Sequence, residues 1–308
     1  MTRRVKILLA AITLFCSMPN LGAQTSAPQI PAEYQAVLKQ LGRTGDYKSG
    51  VLKVNVPRND LHVKIADISA PTPFGFGGWF AMTKSDGGAE VLMGDLVLLQ
   101  EEVNPVMSSL LEHGLEVTAL HNHFFWEQPR LFYMHIHGHG KAGELATEIK
   151  PALDQIGHIA PSTGTGDGAH SATGNPGSLD AARIAKIVGH EGEQSGSVYK
   201  ITVDRDDLQV QEMGANINSR MGLNTWAAFV GSNDNAMVAG DVAMLGNEVT
   251  PVLKTLREHG LDVVAIHHHM IGTTPQIIFL HYWGKGPVDK LAAGFKAALD
   301  QLGKGGSK

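Results

Sequence analysis

The amino-acid sequence predicts an α+β fold made of two homologous units, each a mainly antiparallel sheet with covering helices. Residues 93–123 align without a gap with residues 239–269, so the chain contains an internal duplication. Several segments alternate apolar and polar residues and are rich in β-branched and aromatic side chains, which favours strands. Other segments carry apolar residues three and four positions apart, which favours helices. Strands and helices mixed in this way are typical of the α+β class.

The duplication also predicts the domain organisation. Both copies close on almost the same signature, ALDQIG and ALDQLG, and a Gly/Ser/Thr/Pro-rich stretch separates them. The predicted regions are a signal peptide at 1–23, unit 1 at 30–157, a linker at 158–177 and unit 2 at 178–303.

The elements of unit 1 follow from the same patterns, and unit 2 repeats their order. The helix before Gly114 is predicted because Val106, Leu110 and Leu111 share one face and a glycine commonly follows the last helical turn. In chain order, we predict a helix at 34–41, strands at 51–56, 61–65, 79–83 and 89–99, a helix at 102–113, strands at 115–124 and 130–137, and a helix at 142–156.

The N-terminal segment has the features of a secretory signal peptide. MTRRVK is basic, ILLAAITLFCSM is apolar, and small residues lead to Ala23, where we expect cleavage. The apolar run is too short to span a membrane, and no later run is long enough. The predicted location is therefore periplasmic or secreted.

Cysteine and charge narrow the possible functions. The only cysteine, Cys16, follows the large Phe15, so a lipid anchor there is not expected. The mature chain would then have no thiol for disulfides or metal ligation. The formal net charge is −5, which gives no basic surface of the kind that binds nucleic acid.

Histidines concentrate in HNHFFWEQPRLFYMHIHGHG, residues 121–140. Side chains two apart on a strand share a face, so His121 and His123 share one, as do His135 and His137 on the next strand. A hairpin register with His121 near His135 would bring His121, His123 and His135 within a few ångströms, with His137 on the same face. Unit 2 repeats the trio as His267, His269 and His281, whereas Trp283 replaces His137.

Three imidazoles from neighbouring strands suit a zinc, copper or iron ion. Two other interpretations stay open: a polar pocket in which the histidines bind or activate an organic ligand, and a structural network. The predicted metal ligands are His121, His123, His135, His137, His267, His269 and His281.

Other matched residues have structural and functional interpretations. Glu102 begins a helix, where the helix dipole favours a carboxylate, but it is also a candidate general base. Asp95 and Asp241 are able to cap a strand end or bind a ligand. Trp79 and Trp226 follow glycine-rich loops and are predicted to anchor the core, with pocket lining as the alternative.

The motifs PRxDL, ALHNH and PRLFYMHIHGHG together resemble those of the LppY/LpqO-like family of bacterial lipoproteins, a domain of unknown function present here in two tandem copies. The resemblance implies an envelope protein but no activity. The sequence therefore leaves three hypotheses: an exported protein that binds a transition metal, a metal-dependent hydrolase or lyase that uses Glu102 as base, and a non-catalytic module that binds a cell-wall component or small ligand.

Overall fold

The computed structural model describes residues 29–158 and 179–304. Each half contains a six-stranded antiparallel sheet with helices packed on one face, which confirms the predicted α+β fold in two similar units. The predicted signal peptide, Cys16 and the linker after His158 lie outside the described residues. Across 29–158 and 179–304, no helix combines the length and apolar character needed to span a membrane.

Unit 1 follows the predicted order of helices and strands, with three additional short strands. Its elements are α1 (Ala32–Leu41), β1 (Asp46–Lys48), β2 (Val51–Pro57), β3 (Val63–Ile65), β4 (Ile68–Ala70), β5 (Gly77–Lys84), β6 (Glu90–Leu99), α2 (Gln100–Glu112), β7 (Glu116–His121), β8 (Glu127–Gln128), β9 (Leu131–Gly140) and α3 (Ala142–Leu153).

Within the described residues, unit 2 repeats this arrangement without a strand equivalent to β8. Its elements are α4 (Ala181–Val188), β10 (Glu193–Ser195), β11 (Val198–Asp204), β12 (Val210–Glu212), β13 (Ala215–Ile217), β14 (Asn224–Gly231), β15 (Ala236–Met244), α5 (Val249–Glu258), β16 (Asp262–His267), β17 (Ile278–Gly286) and α6 (Val288–Leu299).

The main sheets have the same topology. Unit 1 has the strand order β1-β2-β5-β6-β9-β7, and unit 2 has β10-β11-β14-β15-β17-β16. The predicted strand at 61–65 does not join the main sheet beside β2. Instead β3 pairs with β4 and β8 in a separate small sheet, and β12 pairs with β13 in the same way in unit 2. This small hairpin contacts the other unit.

Each main sheet buries both of its faces. One face packs on the helices of its own unit, with Leu110 and Ile149 in the core of unit 1 and Leu256 and Phe295 in that of unit 2. The other face contributes to two apolar clusters that contain residues of both units. Burial on both faces explains why β6 and β15 read as continuous apolar runs rather than as alternating strands.

The two shared clusters are reciprocal. In one, Ile65 and Phe74 of unit 1 join Ala239 and Trp283 of unit 2. In the other, Ile217 of unit 2 and its neighbours join residues on the sheet of unit 1, Ala81 and Met93 among them. Each unit thus covers the open sheet face of the other, as in an isologous dimer. The interface between them is the place where the two histidine motifs meet.

Candidate metal centre

Both histidine motifs follow a β-bulge in an edge strand. β7 changes register against β9 between Val117 and Ala119, and β16 changes register against β17 between Val263 and Ala265. A bulge bends its strand and re-aims the side chains near it. The same irregularity therefore precedes H-x-H in both units and helps to direct the motif toward the unit interface.

The predicted hairpin register was wrong by two residues. His121 lies opposite Tyr133, and Ala119 lies opposite His135. The strand also ends at His121, so His123 lies beyond it rather than inside a strand to 124. The parity of the pairing is nevertheless even, so His121 and His135 are neighbours, with ring centroids 5.0 Å apart.

The trios of the two units meet face to face. His121 stacks on His267 with ring centroids 3.7 Å apart. On either side, His123 stacks on His281 at 3.6 Å and His135 stacks on His269 at 4.0 Å. His123 corresponds to His269 and His135 to His281, so the outer two pairs are equivalent. An approximate twofold axis therefore passes between His121 and His267, and the six histidines form one cluster.

The cluster is buried, and among the described residues its Nε2 atoms lack hydrogen-bond partners. The outer four histidines expose between 2% and 6% of their surface, and the central two are half-buried. Among the described residues, no hydrogen-bond partner reaches the buried Nε2 atom of any member: His121, His123, His135, His267, His269 and His281. Buried polar atoms are nearly always paired, so six such atoms in one place require an explanation.

Backbone carbonyls fix the tautomer of three of these rings. The Nδ1 atoms of His121, His267 and His281 lie 3.4, 3.3 and 3.3 Å from the carbonyl oxygens of Asn122, His268 and Gly240. A carbonyl only accepts, so Nδ1 carries the proton in each bond, and in the neutral ring the lone pair is then on Nε2. This is the arrangement that second-sphere carbonyls impose on metal-binding histidines.

Burial keeps the imidazoles neutral. It lowers the pKa of His121 to about 4, and it lowers the pKa of the other five well below the usual range, with the neighbouring rings adding to the effect. Neutral imidazole is the form that ligates metals. At neutral pH no imidazolium would have to lose its additional proton before a metal ion bound.

Two carboxyl groups complete the donor set, that of Asp241 buried and that of Asp95 largely buried. Asp95 and Asp241 lie opposite His135 and His281 on the neighbouring central strands. An Oδ2 atom of Asp241 is 3.5 Å from His269 Nε2, and that of Asp95 is 3.9 Å from His123 Nε2. Burial raises the pKa of Asp95 to about 8 and raises that of Asp241 as well. A cation in the cluster would offset this cost and keep the carboxylates ionised.

Three sets of side chains place their donor atoms within 4.8 Å of one another. The sets are His121/His135/His267, His121/His123/His281 and Asp241/His267/His269. The first two sets combine residues of both units, and the third belongs to unit 2 alone. The second and third sets share no residue. The nitrogen and oxygen donors therefore fit a transition metal, with room for one ion or two.

A cavity of about 290 Å³ opens beside the cluster. It is bounded by both units and by the cluster residues His123, His269, His281 and Asp241. Trp79 and Trp226 line it, so the pocket-lining alternative describes them better than a place in the core. The other lining residues are Lys53, Asn55, Thr72, Pro73, Gly75, Gly77, Lys200, Gly222 and Asn224.

The two lysines of the cavity were not identified from the sequence. Lys53 Nζ lies 4.2 Å from the ring centroid of Trp79, and Lys200 Nζ lies 4.2 Å from that of Trp226. A signal was present, because VLKV and VYKI place a lysine at the same position of two apolar strands. A lysine inside a strand that is buried on both faces has to reach either solvent or a cavity.

Glu102 lies outside the cluster contacts. Its carboxylate accepts hydrogen bonds from Arg58 at 2.5 and 3.2 Å and from the backbone N–H groups of Leu99 and Gly157, each at 2.7 Å. Glu248 makes the equivalent contacts with Arg205 in unit 2. None of these contacts is with a histidine. The geometry favours the structural interpretation of Glu102 over that of a general base.

His137 is also placed apart from the six histidines. Its Nδ1 atom lies 3.5 Å from the exposed Glu116, and its Nε2 atom lies 3.3 Å from Glu212 of unit 2, which is buried. The structure therefore surrounds His137 with carboxylates rather than imidazoles. Its partner Glu212 had no part in the predicted site.

The duplication corresponds to a known family. The family model described as Domain of Unknown Function (DUF1259) matches residues 35–155 and 182–301. The chain belongs to this family and contains its domain twice. No curated protein sequence matches the chain. The identification with LppY/LpqO-like lipoproteins stays a prediction.

Three solved structures, two of them microcompartment shell proteins, are distantly similar to this chain. The trimeric shell protein PduB is 12% identical, with a TM-score of 0.21 over 86% of this chain and 94% of that one. EtuB from Clostridium kluyveri is 10% identical, with a TM-score of 0.20 over 84% and 91%. The fused permuted hexameric shell protein MSM0275 is 13% identical, with a TM-score of 0.19 over 72% and 84%. Similarity this low supports no functional argument.

Proposed function

We propose that this protein binds a transition metal, zinc, copper or iron, in the histidine cluster between its two units. One observation supports this most: six buried Nε2 atoms converge without hydrogen-bond partners among the described residues. A structural network would satisfy its own buried groups, because leaving each unpaired costs about 1–3 kcal/mol. A metal ion accepts these lone pairs directly.

The donor chemistry narrows the choice of metal. Imidazole nitrogen and carboxylate oxygen suit zinc, iron(II) and copper(II), whereas copper(I) prefers sulfur. The only cysteine of the chain is Cys16. The buried Met270 packs in an apolar cluster of the interface.

The test is the metal content of the mature protein, purified without a histidine tag and measured by plasma mass spectrometry. We expect about one or two equivalents per chain, from the usual three or four ligands per ion. His121 and His267 together belong to all three donor sets, so His121→Ala/His267→Ala should abolish binding. The matched control is His113→Ala/His259→Ala. These histidines contact backbone carbonyls at the ends of α2 and α5, and their loss should leave the metal content unchanged.

A folding defect must be separated from the loss of ligands. Circular dichroism should show the same secondary structure in both double variants and in the parent. Cobalt(II) added to metal-free parent should give visible absorption bands of a four- or five-coordinate site, and His121→Ala/His267→Ala should not. A parent that takes up neither cobalt nor zinc, copper or iron would refute the proposal.

A metal-dependent hydrolase or lyase is the second candidate, and the cavity favours it. Three histidines and Asp241 of the cluster face that space, so a substrate is able to reach the centre. A metal ion there would supply Lewis-acid catalysis. Turnover of carboxylic and phosphate esters that is lost on chelation and restored by one metal would support an enzyme. The cavity alone would equally suit the non-catalytic ligand-binding module.

We further propose that the protein is exported after cleavage near Ala23, in keeping with the features of its first residues. An envelope location would expose the cluster to periplasmic or external metal ions. The intact mass of the protein recovered from the periplasm or medium tests this, because retention of 1–23 in that mass would contradict export by cleavage.

A further inference from the structure

The cavity beside the histidine cluster contains two cationic groups that lack an ion-pair partner. Lys53 and Lys200 occupy equivalent positions on β2 and β11 and both line it. Among the described residues, no carboxylate oxygen lies within 4.0 Å of either ammonium group. The other charged side chain of the lining is Asp241, which contacts His269 and His281 instead. The space between the lysines is therefore suited to an anion.

The tryptophans hold both ammonium groups in place. Each Nζ atom lies 4.2 Å from the centre of an indole ring, a distance at which the cation is attracted to the ring face. This contact orients the lysines without neutralising their charge. Burial lowers the pKa of each lysine to about 8, and Lys200 contributes to the effect on Lys53. Both remain mainly protonated at pH 7, and they repel one another.

The size and lining limit the ligand. A volume of about 290 Å³ is at the lower end of the range for small-molecule pockets, about 300–1,000 Å³. Asn55, Thr72 and Asn224 add neutral polar groups, and the two indoles add flat apolar walls. A short organic anion fits this volume. One end of such a molecule would face the lysines and the other the histidines.

We infer that this cavity, the lysine cavity, binds a small molecule that bears an oxyanion, a carboxylate or a phosphate, between Lys53 and Lys200. The inference rests on the proposed metal centre for the second contact of the ligand, since a further oxygen would reach the metal. The lysine contact itself needs no metal. The site would thus select small organic acids or phosphate esters as ligands or substrates.

The experiment is calorimetric titration of the mature protein with malonate, inorganic phosphate and neutral glycerol, in buffer of constant chloride concentration. Each titration is run on metal-loaded and on chelator-treated protein. We expect binding of malonate or phosphate, none of glycerol, and tighter binding when metal is present. The anion that binds more tightly distinguishes a carboxylate ligand from a phosphate ligand.

Lys53→Met/Lys200→Met removes both charges and keeps the apolar stems beside the indoles. We expect at least tenfold weaker anion binding with unchanged metal content. The matched control is Lys64→Met/Lys254→Met, two exposed lysines outside the cavity, and its affinity should equal that of the parent. Binding by the cavity variant within twofold of the parent would overturn the inference, as would failure of both anions to bind the parent.

The two proposals fail in distinguishable ways. Metal in the parent without anion binding would refute the lysine cavity and leave the metal centre standing. Anion binding by a parent that takes up no metal, lost in Lys53→Met/Lys200→Met, would support the lysine cavity and refute the metal centre.

Discussion

The two sides of the approximate twofold axis differ in the chemistry of one buried contact between the units. On one side, His137 of unit 1 lies against Glu212 of unit 2, and both are 2% exposed. On the other side, the equivalent residues are Trp283 and Ile65, which lie in one apolar cluster. An ionisable pair has thus been exchanged for an apolar pair. Near the axis, by contrast, each trio histidine has a histidine as its equivalent.

The difference shows that packing alone accounts for the residues at the edge of the interface but not for the histidines at its centre. A buried pair of either kind fills the edge of the interface, because complementary partners are all that packing requires there. The six histidines of the cluster are not explained in this way. Among the described residues their Nε2 atoms have no hydrogen-bond partner and converge on one another, whereas His137 Nε2 lies 3.3 Å from a carboxylate oxygen of Glu212. Symmetry at the centre and divergence at the edge therefore agree with a ligand at the centre.

The largest loss of stability is expected at the buried ion pair that both units share, Arg58–Glu102 in unit 1 and Arg205–Glu248 in unit 2. Glu102→Ala should lower the free energy of unfolding by about 3–5 kcal/mol. Arg58 would keep only the exposed Asp60 as a carboxylate partner, and the backbone N–H groups of Leu99 and Gly157 would lose their acceptor. Glu248→Ala should cost a similar amount through Arg205. Denaturant unfolding measures both. A loss of catalytic activity in Glu102→Ala at unchanged stability would instead support Glu102 as a base.

The next largest loss of stability is expected at the pair His137 and Glu212, which Trp283 and Ile65 replace on the other side. Glu212→Ile alone removes the buried partner of His137, and we expect a loss of about 2–3 kcal/mol of unfolding free energy. The double variant His137→Trp/Glu212→Ile copies the opposite side and should recover at least half of that loss. The same denaturant titration tests it, and a double variant less stable than the single would show that the two sides are not interchangeable.

Much of this arrangement follows from the sequence, for physical reasons. The duplication and the two periodicities predict the strands and helices, because burial of one stripe or face imposes those repeats. The H-x-H spacing and the third histidine predict the trios. The environment of His137 does not follow from the sequence, because its partner Glu212 lies in the other unit, far away along the chain.

The contact between the two histidine trios also does not follow from the sequence. A β-bulge has no clear signature in the sequence, yet the bulges at Thr118 and Val264 set the register before each motif. The residues of β3 likewise have the pattern of an ordinary strand, and nothing in that pattern indicates that β3 and β4 form a separate hairpin. Only tertiary packing places it on the other unit and makes the two trios one cluster.

The smallest change in the free energy of unfolding is expected at the equivalent residues Lys53 and Lys200, and it should depend on pH. The pKa of Lys53 and of Lys200 is lowered from 10.5 to about 8 in the folded chain, so between those values the unfolded chain binds more protons. The stability of the metal-free parent should therefore rise with pH over that window, relative to a variant without the lysine. Lys53→Met and Lys200→Met should each be more stable than the parent at pH 7, by about 1 kcal/mol after allowance for solvent screening, and this advantage should shrink toward pH 10.5. Denaturant unfolding at pH 7, 8.5 and 10 measures the difference. Equal slopes for the two variants would show that the cavity is electrostatically symmetric, whereas a constant advantage at all three values would mean that the lysines are not desolvated in the folded chain.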